Sequence, residues 1–252
     1  MTDSLILCGF AFLAGLIDAI AGGGGLIQVP ALMVFLPSTG VSLILGTNKL
    51  SSCAGTAFAA FRYARSVPVN WRAVCPAAAA ASICAIGGAW MAVKLDASVL
   101  KPVVVGFLIV VAVQTFFQKR LGDPPEELSS GAEHVRGIAG LAMIIGFYDG
   151  FLGPGAGSFL MFGLARYFGY DFLRAAATTK ILNFATNFGA LALFAATGNV
   201  LYGIGLAMAA LNMAGSFFGA QLAIQGGNRF IRIFFLIIVW ILILNIVGDL
   251  IG

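Results

Sequence analysis

Eight apolar stretches and one polar segment leave this chain few folds to adopt. The stretches run at roughly 4–36, 41–64, 71–93 and 98–118, then 137–167, 172–197, 200–225 and 230–251. Between the two sets lies a polar linker, Lys119 to Arg136, containing Asp-Pro-Pro-Glu-Glu and Ser-Ser-Gly. A spanning helix needs about 20 apolar residues. The middle runs supply one crossing each, while the first run of each half is too long for one crossing and holds a glycine cluster. Of the 252 residues 60% are hydrophobic and 10% charged, whereas a soluble domain has about a quarter charged. An ordinary cytosolic enzyme, a nucleic-acid module and a disordered chain are excluded. The lipid bilayer is the expected surrounding, and the net charge of +4 goes to orienting the chain in it rather than to binding a polyanion. Cys8, Cys53, Cys75 and Cys84 form no CxxC pair and lie in apolar runs, so no disulfide framework, structural metal or cofactor is expected. The apolar character continues to the end of the chain, so the first run does not read as a removable signal peptide.

The halves repeat with a constant offset. Asp18 matches Asp149, Gly22 matches Gly153, Gly24 matches Gly155, Thr47 matches Thr178 and Lys49 matches Lys180; Gly88 matches Gly219 and Lys101 matches Arg232. Polar identities inside apolar runs are not explained by chance matching of Gly and Ala, so duplication is the reading. It divides the chain into a first membrane repeat (1–121), a cytoplasmic linker (122–136) and a second repeat (137–252). Basic residues mark the cytoplasmic side. The turn at 62–72 carries Arg62, Arg65 and Arg72, but its equivalent at 197–202 has no basic residue. The turn at 37–41 has none either, but its equivalent at 166–174 carries Arg166 and Arg174. Equivalent turns of opposite charge bias predict an inverted-topology repeat. The expected fold is an all-α polytopic membrane protein, each half a Gly-broken helical hairpin plus three transmembrane helices. The linker then lies inside and both termini lie on the periplasmic side.

Residues 21–25 read Ala-Gly-Gly-Gly-Gly, and 152–157 read Leu-Gly-Pro-Gly-Ala-Gly. Four glycines in a row oppose a helix by roughly 4 kcal/mol, so both clusters should break one. Broken backbone in a membrane is tolerated only when packed in protein or lining a wet cavity. The helix that restarts after each break points free amides and a positive dipole end at it, which is an anion site in principle. Gly88 and Gly219 instead read as close helix packing. Dinucleotide and P-loop readings fail, with no Gly-Lys-Ser/Thr after either cluster.

The second element of each half carries a polar stripe. Asn48, Ser52 and Thr56 are four apart, as are Thr179, Asn183 and Asn187, so each trio lines one helix face. Lys49 lies about eight residues, roughly 12 Å, into its span. Snorkelling explains one such lysine, but its recurrence at Lys180 beside the same threonine points to a functional charge. Three roles suit Asp18 and Asp149: partners of the lysines, proton carriers, or acceptors for the broken backbone. Candidate substrate-binding residues are Gly23, Gly24, Gly25, Thr47, Asn48, Lys49 and Ser52, with Gly155, Ala156, Gly157, Ser158, Thr178, Thr179, Lys180, Asn183 and Asn187 from the second half. Gln28, Tyr148, Asn212 and Gln221 read as ordinary helix glue, Trp71 and Tyr202 as interface aromatics, and His134, in the linker, as solvated.

The run Gly15-Leu-Ile-Asp-Ala-Ile-Ala-Gly-Gly-Gly-Gly-Leu-Ile-Gln-Val-Pro30, followed by Gly46-Thr-Asn-Lys, resembles the sulfite exporter TauE/SafE family, also called the toluene sulfonate uptake permease family. The resemblance covers the whole chain. In the second copy Pro154 and Ala156 replace glycines, and Met161 stands where Pro30 stands in the first. The resemblance implies a bacterial inner-membrane transporter of small sulfur-containing or carboxylated anions, such as sulfite or sulfoacetate, often coupled to protons. The expectation is a secondary transporter without enzymatic activity that works by alternating access, taking a small anionic substrate and no nucleic acid. A homo-oligomer is compatible with the sequence. A passive anion channel is the alternative; an intramembrane enzyme or an assembly factor fits less well, with a single His and no exposed partner domain.

Overall fold

The computed structural model describes residues 2–96, 98–100, 102, 106 and 131–251, with only the backbone for 232–251. Most of the fourth apolar run, most of the linker and the side chains of the last run from 232 onward lie outside the described residues. All regular structure among the described residues is α-helical. Helix α1 spans Thr2–Ala21, α2 Gly25–Phe35, α3 Val41–Ser66 and α4 Trp71–Lys94. In the second half α5 spans Ala132–Phe151, α6 Ala156–Phe168, α7 Phe172–Ala196 and α8 Tyr202–Ile251. Helix α5 starts inside the segment read as linker. The last two apolar runs join in α8 around a non-helical Gly227 (φ 63°, ψ −163°).

Local chemistry sets these boundaries. The Asp171 side chain caps α7 by accepting the Arg174 N–H at 2.8 Å, and Gly169 (φ 67°) closes α6 in the left-handed region. Each glycine cluster ends its helix where the sequence predicts. Gly22 and its equivalent Gly153 take φ of 77° and 93°, a region that L side chains rarely enter. After Gly22 the chain doubles back. A Cβ on Gly24 would lie 2.6 Å from the Ala14 carbonyl oxygen, ten residues upstream.

Among the described residues three helices are long and apolar enough to cross a membrane: Asp3–Ala21, Trp71–Lys94 and Tyr202–Ile231. Helices α3 and α7 are 26 and 25 residues long, but their polar stripes dilute the apolar signal. Large apolar side chains such as Leu5, Ile83, Ile144 and Phe188 point outward, as a lipid-facing surface requires. Trp71 and Tyr202 are both half exposed at the starts of α4 and α8, as interface aromatics should be.

Inside, the described residues form two apolar cores. One gathers Ala19–Ala21, the α3–α4 turn (Val67, Ala73), the start of α5 (Ile138), the end of α6 (Leu164), the start of α7 (Ala175) and Ile231 of α8. The other gathers the start of α1 (Leu7), Leu32 of α2, the starts of α3 and α8 (Val41, Met208), and the ends of α4, α5 and α7 (Ala92, Phe151, Phe194). Long helices run from one core to the other, and equivalent helices run in opposite senses: α1 and α3 enter from the second core, α5 and α7 from the first. The polar residues of α3 and α7 fall between the cores.

Among the described residues the heaviest packing joins elements from different halves. Helix α4 lies along α5 and α1 along α8, followed by α3 with α8 and α4 with α7. Small residues let these backbones meet. A Cβ on Gly88 would lie 2.1 Å from the Phe147 carbonyl oxygen, and one on its equivalent Gly219 would lie 2.3 Å from the Leu16 carbonyl oxygen. Leu16 is itself the equivalent of Phe147, so the contact is reciprocal, the signature of a two-fold relation. His134 is half-buried, stacked on Tyr170 and edge-on to Phe168, with ring centroids 5.8 and 5.5 Å apart. The solvated reading of this residue is thereby corrected: two aromatic rings beside the α6–α7 turn shelter it.

Candidate functional site

The two glycine breaks abut at the middle of the molecule. A Cβ on Gly22 would lie 2.5 Å from Gly157 backbone, and one on Gly25 would lie 3.2 Å from Pro154 Cα. Ser158 Oγ donates to the Ala21 carbonyl across the junction (3.3 Å). Between the breaks and the stripes of α3 and α7 lies a polar cavity. Its wall comprises Asp18, Gly23, Gly24, Gly25, Asn48, Lys49, Ser52 and Thr56 from the first half, and Asp149, Gly153, Gly155, Gly157, Asn183 and Asn187 from the second. Its free space of about 20 Å³ holds a water and little more.

Both lysines are buried and paired, each with the aspartate of the other half. Lys49 Nζ lies 2.7 Å from Asp149 Oδ1, and Lys180 Nζ lies 2.8 Å from Asp18 Oδ2. The two pairs are equivalent positions exchanged, so the repeat is reciprocal at its most costly contacts. Their surroundings differ. Lys49 also donates to Asn187 Oδ1 at 3.0 Å, and Asp149 Oδ2 accepts from Thr186 Oγ1 at 2.5 Å. Asp18 Oδ1 instead accepts the Gly24 backbone N–H at 3.2 Å. Of the three roles left open for the aspartates, ion pairing holds for both and backbone acceptance for Asp18 alone.

Not every candidate reaches the cavity. Thr47 turns to the protein, donating to the Leu43 carbonyl (2.6 Å) and accepting the Leu201 N–H (3.0 Å). Thr178, Thr179, Lys180, Ala156 and Ser158 are buried around the site without lining the cavity. Thr56 and Gly153 do line it although they were not among the candidates; their places on the stripe and in the cluster were the available signal. Gln28 joins α2 to α3 and α8, accepting from Ser51 Oγ (3.3 Å) and Asn212 Nδ2 (2.9 Å).

Several polar groups at this site have no protein partner. Asn48 Oδ1 and Asn183 Oδ1, both on residues of the cavity wall, are buried without a hydrogen bond, as is the nearby Thr179 Oγ1. The amide N–H groups of Gly25, Gly155 and Gly157 reach no acceptor among the described residues. Buried polar groups are bonded in the great majority of cases, so a cluster of unbonded ones leaves donors and acceptors open to water or a polar guest. Free amides of the restarting helices α2 and α6, beside a lysine ammonium, suit an oxyanion. No group of three or more His, Cys, Asp or Glu side chains able to hold a metal occurs among the described residues.

Residues 7–246 match the family described as Sulfite exporter TauE/SafE. A probable membrane transporter protein, ORF9, from Sinorhizobium sp is 36% identical over 241 residues, covering 95% of this chain and 90% of that one. A probable membrane transporter protein from Haemophilus influenzae is 31% identical over 231 residues, covering 91% and 88%. The probable membrane transporter protein YfcA of Escherichia coli K12 is 33% identical over 222 residues, covering 88% and 81%. No solved structure has significant similarity to the chain.

Proposed function

The chain belongs to the sulfite exporter TauE/SafE family and is a multi-pass membrane transporter, and from that premise we infer that it carries small sulfur oxyanions or organosulfonates, such as sulfite or sulfoacetate, across a bacterial inner membrane. The observation that carries this reading is the central cavity, where unbonded amides of two broken helices meet the Lys49 ammonium. An anion there gains hydrogen bonds that the protein otherwise leaves unmade, and the surrounding low dielectric strengthens each of them.

The topology follows from charge. Arg62, Arg65, Arg72, Arg166 and Arg174 all stand on turns that border the first apolar core, while the turns at 36–41 and 197–200 beside the second core carry no Lys or Arg. The remaining pair of turns, with Lys94 beside the second core and Arg229 toward the first, is basic on both sides and decides nothing. The positive-inside rule puts the first core at the cytoplasm and the start of α1 at the periplasm. Opposite senses for equivalent helices make the repeat an inverted one, with its axis in the membrane plane. Because α4 packs on α5 and α1 on α8, the bodies that move are not the two sequence halves. One body is α1–α3 with α8, the other α5–α7 with α4, and both Lys–Asp pairs bridge them.

The test is a thermal-shift screen of the purified protein with sulfite, thiosulfate, sulfoacetate, taurine, isethionate and dicarboxylates, since a ligand that binds only the folded state raises apparent stability. At least one sulfur oxyanion or sulfonate should stabilise the wild type and lose its effect in Lys49→Ala. Unchanged affinity in folded Lys49→Ala and Lys180→Ala variants overturns the assignment.

A further inference from the structure

The two crossed Lys–Asp pairs occupy equivalent positions but not equivalent surroundings. Asp18 is tied to the backbone, since its Oδ1 takes the Gly24 N–H where α1 turns into α2. Asp18 lines the cavity, but its partner Lys180 is buried and does not reach the wall. Lys49 and Asp149 both stand on that wall. The groups around them are neutral and adaptable: Thr186 donates a hydroxyl to Asp149, and Asn187 accepts from Lys49. The first half has no copy of this arrangement, because the positions equivalent to Thr186 and Asn187 are Gly55 and Thr56, and the space beside Gly55 is filled by the Asn212 side chain.

Resting on the anion-transport reading, we propose that Lys49–Asp149 is an exchangeable pair that takes up one proton with each monovalent oxyanion, while Lys180–Asp18 is a fixed tie. The proton, drawn from bulk water, adds to an Asp149 carboxylate oxygen. Lys49 keeps its three protons and passes from the Asp149 carboxylate to the incoming anion. Thr186 Oγ1, a donor to the carboxylate, rotates to accept from the carboxylic acid. Before and after, the pair is neutral: ammonium with carboxylate, then ammonium with anion beside a neutral acid. Neutrality decides the outcome, because an anion added without the proton would put three charges, net negative, into one desolvated site. A monovalent sulfonate, carboxylate or hydrogen sulfite satisfies the balance with one proton, and a divalent anion does not.

Among the described residues no other charge stands as close to Asp149. Lys49 faces it from α3, and Cys53 lies one turn further along that helix. Helix α7 brings Thr186 and Asn187, with Lys180 committed to Asp18 of α1. Tyr148 is its chain neighbour on α5 and donates its hydroxyl to the Pro154 carbonyl at 2.5 Å. Helix α4 meets α5 there with Ala81 and Ala85, against Gly146 and Gly150.

The test uses methanesulfonate and isethionate, monovalent sulfonates whose charge is constant across the working pH range, as probes of the purified full-length protein. Calorimetric titration in two buffers of different ionisation enthalpy counts protons taken up per methanesulfonate bound. One proton is expected and zero overturns the proposal, without any variant. Wild-type affinity should fall about tenfold per unit rise in pH where uptake is complete, the consequence of one linked proton. Asp149→Asn should bind with no pH dependence, and Thr186→Val, which removes no charge, should shift the pH profile. Retained pH dependence in Asp149→Asn, or its loss in Asp18→Asn with Asp149 intact, overturns the assignment to the Asp149 pair while leaving the anion site standing. Failure of both probes to bind wild type, beside a sulfur oxyanion that does bind in the broader screen, overturns the preference for monovalent organic anions. Failure of every anion in both experiments overturns the anion site as well.

Discussion

A buried ammonium survives in an apolar interior only if its charge is answered at contact distance, and Lys49 and Lys180 are answered by the same residue type from opposite halves. Removing one partner of such a pair strands the other, at about 3–5 kcal/mol for a fully buried pair. The two sites should differ in this. Asp149 has a side chain 6% exposed, against 17% for Asp18, which also keeps the Gly24 amide. Lys49→Ala should therefore lose more stability than Lys180→Ala, by roughly 1–2 kcal/mol on the same scale. The double change Lys49→Gln with Asp149→Asn should regain most of the loss without regaining anion binding. Unfolding midpoints in one detergent read this out, and equal losses at the two lysines would remove the stability argument for a fixed and an exchangeable pair. The sequence made all four charged residues visible, since lipid excludes them elsewhere. It did not make their pairing visible, because a constant offset identifies equivalent positions and says nothing about which copy meets which across an axis.

At the scale of elements, the glycine breaks were legible because a run of four opposes a helix whatever surrounds it. Less legible was the second task of these glycines, which is to let two breaks touch. Gly22 combines a left-handed backbone with a neighbour, Gly157, where a side chain would stand. Gly22→Ala should cost about 1–2 kcal/mol from backbone conformation alone, with the 2.5 Å approach to Gly157 adding to it. Transport should fall with stability, because the amides on either side of the cavity are pushed apart. Gly140→Ala is the contrast. It lies within α5 with nothing within 4 Å of the added Cβ, so it should raise stability by about 0.5–1 kcal/mol. Parallel denaturation and uptake measurements on the two variants distinguish a packed break from one that is merely flexible. Helices α3 and α7 repeat the lesson in another form. The asparagines, threonines and lysines that build the site also lower their apolar content, so the helices that matter most for function read least clearly as spans.

For the whole molecule, the exchange of α4 and α8 between halves changes what alternating access can mean. The sequence repeat invites a picture of two halves rocking on a linker, but such halves would have to tear α4 from α5 and α1 from α8, the most extensive packing in the structure. Those surfaces are made tight by small residues such as Gly88 and Gly219, and close-packed interfaces do not slide freely. On the alternating-access proposal, motion belongs between the exchanged bodies, where α3 meets α7 around a polar cavity and the contacts are ion pairs and amides that can trade partners. Cross-linking decides between the two pictures. In a chain whose natural Cys8, Cys53, Cys75 and Cys84 are replaced by alanine, Phe58→Cys with Phe217→Cys joins α3 to α8 within one body, where the native rings lie 5.7 Å apart. Thr56→Cys with Asn187→Cys joins α3 to α7 across the bodies, where the native side chains approach to 3.5 Å. Closing the first link with a short thiol-reactive reagent should leave uptake within about twofold of the reduced form. Closing the second should abolish it, and reduction should restore it to the level of the unlinked variant. Equal inhibition by both links would return the motion to the sequence halves, because only then does the α3–α8 surface have to open.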